Sequence, residues 1–135
     1  MPLKEVMQWV IDPAADVIWE SVAIIITEKG EEHREPKTDA QWDAVRNAAA
    51  TMIESSNLLL LPGRARDDKH WTEAVTRMAQ AAGTSLKAAQ AKDATALFDS
   101  GTTVYNACSA CHARYRVGEA GAAPAPAPAP AKTAK

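Results

Sequence analysis

The stretch Asp93–Gly118, DATALFDSGTTVYNACSACHARYRVG, decides how the rest of the chain is read. Leu97, Phe98, Gly101, Val104, Tyr105, Cys108, His112 and Tyr115 recur along it at helical spacing. It is therefore predicted as one helix from near Asp93 to about Val117-Gly118, where glycine can supply the left-handed cap. Near its end stands Cys108-Ser109-Ala110-Cys111-His112. Two thiols at this spacing can form thioether bonds to the two vinyl groups of one haem, and the histidine after them can coordinate the iron from the proximal side. Other readings fit less well. A disulfide between Cys108 and Cys111 would close a very small loop. A zinc site needs four ligands, usually two such pairs, and the sequence has no second cysteine pair. A thioredoxin-like redox pair expects a βαβ setting, and no strand pattern is read near it.

Three further amphipathic segments precede this one. The first runs from about Leu3 to Thr27, with Leu3, Val6, Met7, Val10, Ala14, Val17, Ile18, Ser21 and Ile25 on one stripe. Asp12-Pro13 interrupts it and predicts a kink, or a break at which Asp12 caps a new start, because proline removes one backbone bond and clashes with the preceding turn. Glu28 to Lys37 reads as a charged loop. Thr38 or Asp39 then caps a second helix to about Leu60, with Trp42, Val45, Ala49, Met52, Ile53, Ser56 and Leu60 inward. Pro62-Gly63 stops it. The third helix runs from about Asp67 to Ala91 through Trp71, Ala74, Val75, Met78, Ala82, Leu86 and Ala89. The fold class expected is all-α, an antiparallel up-down-up-down four-helix bundle over residues 1–118. The Ala-Pro repeat of 119–135 is expected to be a disordered tail.

That topology ranks the iron's second axial ligand. The start of the first helix, the end of the second, the start of the third and the end of the fourth share one end. Met7 and His112 each lie about five residues from that end, roughly 7–8 Å at helical rise. A haem bound through His112 therefore lies at this end, and Met7 offers a thioether at similar depth. Met52 and Met78 fall roughly 12–15 Å in and are expected to fill the core. His33 lies at the opposite end, and His70 is turned off the inward stripe toward the rim. Arg116, one turn from His112, is a candidate partner for a haem propionate, as are Arg64 and Arg66. Tyr115 is expected to pack against the porphyrin, and Leu58, Leu59, Leu60 and Trp71 to bury it.

Cys108-x-x-Cys111-His112-x-x-Tyr115-Arg116 on the last helix of such a bundle resembles the cytochrome c′ superfamily, over residues of about 3 to 118. The resemblance implies a haem at one end of the bundle, held by the motif of the fourth helix. In one branch of that family the iron is five-coordinate, an apolar residue of the first helix covers its vacant side, and nitric oxide or carbon monoxide binds. In the low-spin branch a methionine of the first helix completes the coordination and electron transfer is the role. Met7 matches that methionine by position. The expected function is thus a monohaem c-type cytochrome that exchanges electrons with a redox partner protein; gas binding is the alternative.

Composition agrees and excludes other classes. The 135 residues suffice for one domain, and a net charge of −2 does not suggest nucleic acid. No apolar run approaches the roughly 20 residues of a membrane span. No paired carboxylates, Ser-His-Asp set or phosphate loop predicts an enzyme. Haem attachment by this motif occurs outside the cytoplasm, so a periplasmic, exported protein is expected. Pro2 to Val10 is amphipathic rather than a signal core, and the chain is read as mature or as one whose leader Met1 replaces. Trp9, Trp19, Val22 and Ile26 lie off the main stripe of the first helix, an apolar face that suggests a homodimer through that helix.

Overall fold

The computed structural model describes residues 1–66 and 69–115. Arg116, the expected helix end at Val117-Gly118 and the Ala/Pro segment lie outside these residues. The fold is mostly helical with one small two-stranded sheet. In chain order it comprises α1 (Leu3–Val6), a π-helical turn (Met7–Ile11), α2 (Asp12–Ser21), β1 (Ala23–Thr27), β2 (Gly30–Arg34), α3 (Asp39–Leu59), α4 (Lys69–Gln90) and α5 (Ala94–Tyr115).

The helices of the second, third and fourth segments match their patterns. Thr38 caps α3 in a reciprocal box: its hydroxyl accepts from Gln41 N–H at 3.1 Å, and the Gln41 side chain accepts from Thr38 N–H at 3.1 Å. The chain leaves α3 through Pro62 and Gly63, whose φ of +88° favours glycine. The α4 helix ends with Lys92 in the left-handed region, φ +51°, while Asp93 N–H returns to Ala88 C=O and Lys92 N–H to Ala89 C=O. The Asp93 carboxylate then caps α5 by accepting from Ala96 N–H at 2.9 Å.

Alanine and serine line the contacts of these three helices. Ala49, Ala82 and Ala89 are fully buried, and a hydrogen bond of 2.8 Å joins the buried hydroxyls of Ser85 and Ser100. Small side chains let the α4 and α5 backbones approach closely, and the paired hydroxyls satisfy one another inside the core.

Contacts along the helices fix their directions. Arg64 donates to Met1 C=O and to Leu58 C=O, each at 3.1 Å, joining the start of the first rod (α1, the π turn and α2) to the end of α3. Trp71, at the start of α4, donates its indole N–H to Leu59 C=O at 2.7 Å and meets the Tyr115 ring edge-on at 4.8 Å. At the other end Arg46 of α3 reaches Ala89 C=O and Lys92 pairs with Asp39. Neighbouring rods therefore run in opposite directions, and the four expected termini share one end.

The first rod departs from the expectation in two ways. At Asp12-Pro13 it widens instead of breaking: Asp12 N–H bonds to Met7 C=O, five residues back. In a regular helix Pro13 would press on the carbonyl four residues before it and could not donate to it. The π turn accommodates one extra residue and so shifts the inward face by one position, about 100°. Val6 is inward before it; Ile11, Ala14, Ala15, Ile18 and Val22 are inward after it. Val17, expected inside, is exposed, whereas Trp19, expected outside, is half-buried.

Secondly, the chain is not all-α. Helix gives way after Ser21 to a hairpin, β1 pairing antiparallel with β2 from Ala23↔Arg34 to Thr27↔Gly30. The β-branched run Ile24-Ile25-Ile26-Thr27 loses side-chain freedom in a helix and suits a strand. Gly30, at φ +122°, follows the two-residue loop. Ile25 and Thr27 are strand residues, and most of the expected loop 28–37 is the turn and return strand.

Candidate functional site

The first rod leans on α3 more closely than on α5. Between it and α4 and α5 lies a mostly apolar cavity of about 420 Å³, within the range usual for cofactor and small-molecule sites. Met7 and Ile11 line it from the π turn, Leu59 from α3, Trp71, Val75 and Met78 from α4, and Cys108, Ser109, Cys111 and His112 from α5. Four residues singled out in the sequence thus share one cavity: both cysteines, His112 and Met7.

Each is positioned by its element. His112 follows Cys108 by four residues and Cys111 by one, so all three project from the last turns of α5. Trp71 lines the cavity at the same end, held by its bond to Leu59 and by Tyr115. The antiparallel packing of the first rod on α5 is registered by Trp19, whose indole N–H donates to Gly101 C=O at 3.0 Å and whose ring meets Tyr105 edge-on at 6.4 Å. A Cβ on Gly101 would lie 3.3 Å from the Trp19 ring, so the close approach uses the missing side chain. Counting back from that contact brings Met7 to within about one turn of the level of His112.

The two sulfurs are partly buried and not joined to each other. Burial first, and then the carboxylate of Asp12 and the neighbouring Cys111, push the Cys108 thiol up to about 11. Cys111 is raised as well by burial, with the Arg77 guanidinium opposing. A redox-active dithiol is favoured by a lowered thiol, and both of these are raised. Among the described residues no three His, Cys, Asp or Glu side chains gather to hold a metal ion. The Ser109 hydroxyl, between the cysteines, is buried in the cavity wall with no hydrogen-bond partner among the described residues. One mostly apolar cavity is thus lined by two thiols, an imidazole and an orphaned hydroxyl.

The remaining candidates fall into place around this centre. Tyr115 backs Trp71 and does not line the cavity; Arg114 lies 5.7 Å above its ring. Arg64 is occupied with Met1 and Leu58, and Arg66 is exposed. Leu59 is buried in the cavity wall, but Leu58 and Leu60 are 36% and 43% exposed. Their expected burial was an error of phase, since one face of α3 takes Ser55, Ser56 and Leu59 inward and turns their neighbours out. Met52 is fully buried away from the cavity, while Met78 lines it, which its depth did not predict. His70 is exposed beside Glu73, and His33 is exposed on β2 and paired with Glu31.

Sequence reasoning missed the mouth of the cavity. Asp12, Asp16 and Glu20 line it from α2 at four-residue intervals, and Arg34 lines it from β2. The interval was visible in the sequence; the side it faces was hidden by the π turn. No family model, curated protein or solved structure matches the chain.

Proposed function

We propose that the chain is an exported, periplasmic monohaem c-type cytochrome of the cytochrome c′-like four-helix-bundle kind, which carries electrons to and from a partner protein. Cys108 and Cys111 hold haem c by thioether bonds, and His112 and Met7 ligate its iron. The observation that carries this reading is the convergence of Met7 with Cys108, Cys111 and His112, more than a hundred residues later in sequence, on one apolar cavity.

Bound there, the haem supplies a one-electron iron couple. The side chains govern how it behaves. His112, on a rigid helix, fixes the proximal nitrogen. Met7 presents a soft thioether that favours the ferrous state and raises the potential. Held by His112 from α5 and by Met7 from the π turn, a haem would reorganise little on reduction. Ile11, Leu59, Trp71 and Val75 exclude water and disfavour the net charge of the ferric site, which raises the potential further. Arg116, one helical turn beyond His112 in sequence, would serve a propionate.

Absorption spectra of ferric and ferrous protein, with and without carbon monoxide, test this. A covalently retained, low-spin spectrum with a far-red sulfur-to-iron band that disappears in Met7→Ala is the expected result. A high-spin spectrum that shifts readily with carbon monoxide would instead establish the five-coordinate, gas-binding alternative. A colourless protein from a host able to attach haem would remove both.

A further inference from the structure

The hairpin is the least supported part of the fold. Its return strand is exposed throughout, and Ile26 of β1 stays 69% exposed. Two strands alone are marginal in water and need a third strand or an apolar cover. Its two outer edges are unlike. The β2 edge carries Glu31, Glu32, His33 and Arg34, the kind of charge that guards an open strand. The β1 edge, Ala23-Ile24-Ile25-Ile26-Thr27, carries none.

The register tells which groups that edge offers. In a hairpin closed by the two-residue loop Glu28-Lys29, the flanking pair Thr27↔Gly30 is the hydrogen-bonded one. Alternation then makes Ile25↔Glu32 hydrogen-bonded and turns the N–H and C=O of Ile24 and Ile26 to the free edge. Those groups are separated by one residue, as a self-pairing strand needs.

We infer that β1 docks antiparallel on β1 of a second copy of this chain, Ile25 facing Ile25 across a two-fold axis and each Ile24 facing Ile26. The product is a four-stranded sheet in the order β2-β1-β1-β2. Its interface is isologous, so each contact is made twice. Charge selects both the edge and the register. In this register no carboxylate faces a carboxylate: Glu28 falls opposite Val22, and Lys29 opposite Ser21. Lys29 thereby reaches the last turn of α2, where Glu20 and the helix C-terminus both attract a cation. Slipping two residues one way sets Glu28 against Glu20; slipping the other way sets it against Ile24. Pairing through β2 centred on Glu32 would oppose two like charges, which is destabilising.

The interface is independent of the cofactor and differs from the helical face expected from sequence. Trp19 and Val22 of that face are committed inside, and Ile26 belongs to the strand.

Sedimentation velocity of the full chain tests the inference. The expected mass is twice the 14.4 kDa of one chain, returning to one chain in Ile24→Lys and Ile26→Lys and unchanged in Trp9→Glu. Ile25→Cys supplies an arm that does not depend on tolerating a lysine. A non-hydrogen-bonded pair sets Cα atoms about 4.5 Å apart, within disulfide range. On oxidation Ile25→Cys should run as a covalent dimer on a non-reducing gel, while Glu32→Cys and the parent chain should not. A monomeric parent, or a dimer lost in Trp9→Glu and kept in Ile26→Lys, would overturn the inference.

Discussion

The first rod and the three helices that follow it are built by different rules. Helices α3, α4 and α5 are regular, capped and packed through alanine, serine and glycine. The first rod is three pieces: a short helix, a π turn and a second helix that runs into a hairpin. The regular helices form a frame whose backbones approach closely, and the irregular rod stands off from α5 far enough to leave the cavity. A cavity with chemistry on opposite walls follows from that inequality.

The largest test of this contrast lies at the frame's end. Trp71 is buried, hydrogen-bonded and packed edge-on, so Trp71→Ala should cost about 3–5 kcal/mol in denaturant unfolding. A loss near zero would mean that the frame does not carry the fold. Next in size, amide hydrogen exchange should separate the two regions. Protection in α1 and α2 should fall well below that in α4, since segments with fewer buried contacts open locally at lower free energy. Uniform protection would merge them into one cooperative unit.

A smaller effect probes the frame's capping. Removing the hydroxyl in Thr38→Ala should lower stability by about 1 kcal/mol in thermal or urea melts, with the cavity unchanged. In the rod, Pro13→Ala should change stability by less than the roughly 3 kcal/mol that a proline costs within a regular helix. Val6 and Ile11, five residues apart, are both buried, so the apolar pattern holds the π turn as firmly as the proline does. A large stabilisation, with altered Trp19 fluorescence, would show that the ring alone imposes the turn.

The smallest effect is one of pH. Lys92 hydrogen-bonds and attracts Asp39, lowering its carboxyl below the ordinary 3.8. A lowered value means a contribution that is present above the unfolded value and lost as pH falls through the folded one. Acid titration of stability should therefore lose a small, salt-sensitive step below pH 3.8 in Asp39→Asn, the pair lying at the surface.

The same contrast explains what could be read without coordinates. Thr38, Pro62-Gly63 and Asp93 announce helix ends through local chemistry, and the stripes of α4 and α5 keep one period from end to end. Cys108, Cys111 and His112 stand out by their spacing, and Met7 was placed beside them by counting turns from a shared end. The π turn erased the rest, because an added residue rotates everything after it. Hence Val17 and Trp19 exchanged sides, and the Asp12-Asp16-Glu20 line at the cavity mouth went unseen. The hairpin was lost for another reason. Ile25 falls on both a helical and a strand pattern, and only the β-branched run around it favours the strand.

The π turn also has a consequence for how this protein can change. A rod in one phase ties every position to every other, so adjusting the residue above the cavity would disturb the packing beyond it. With a phase slip between them, Met7 and the inward row from Ile11 to Val22 can vary separately. Substitutions at position 7 can then reshape the cavity wall while the body of the molecule keeps its shape.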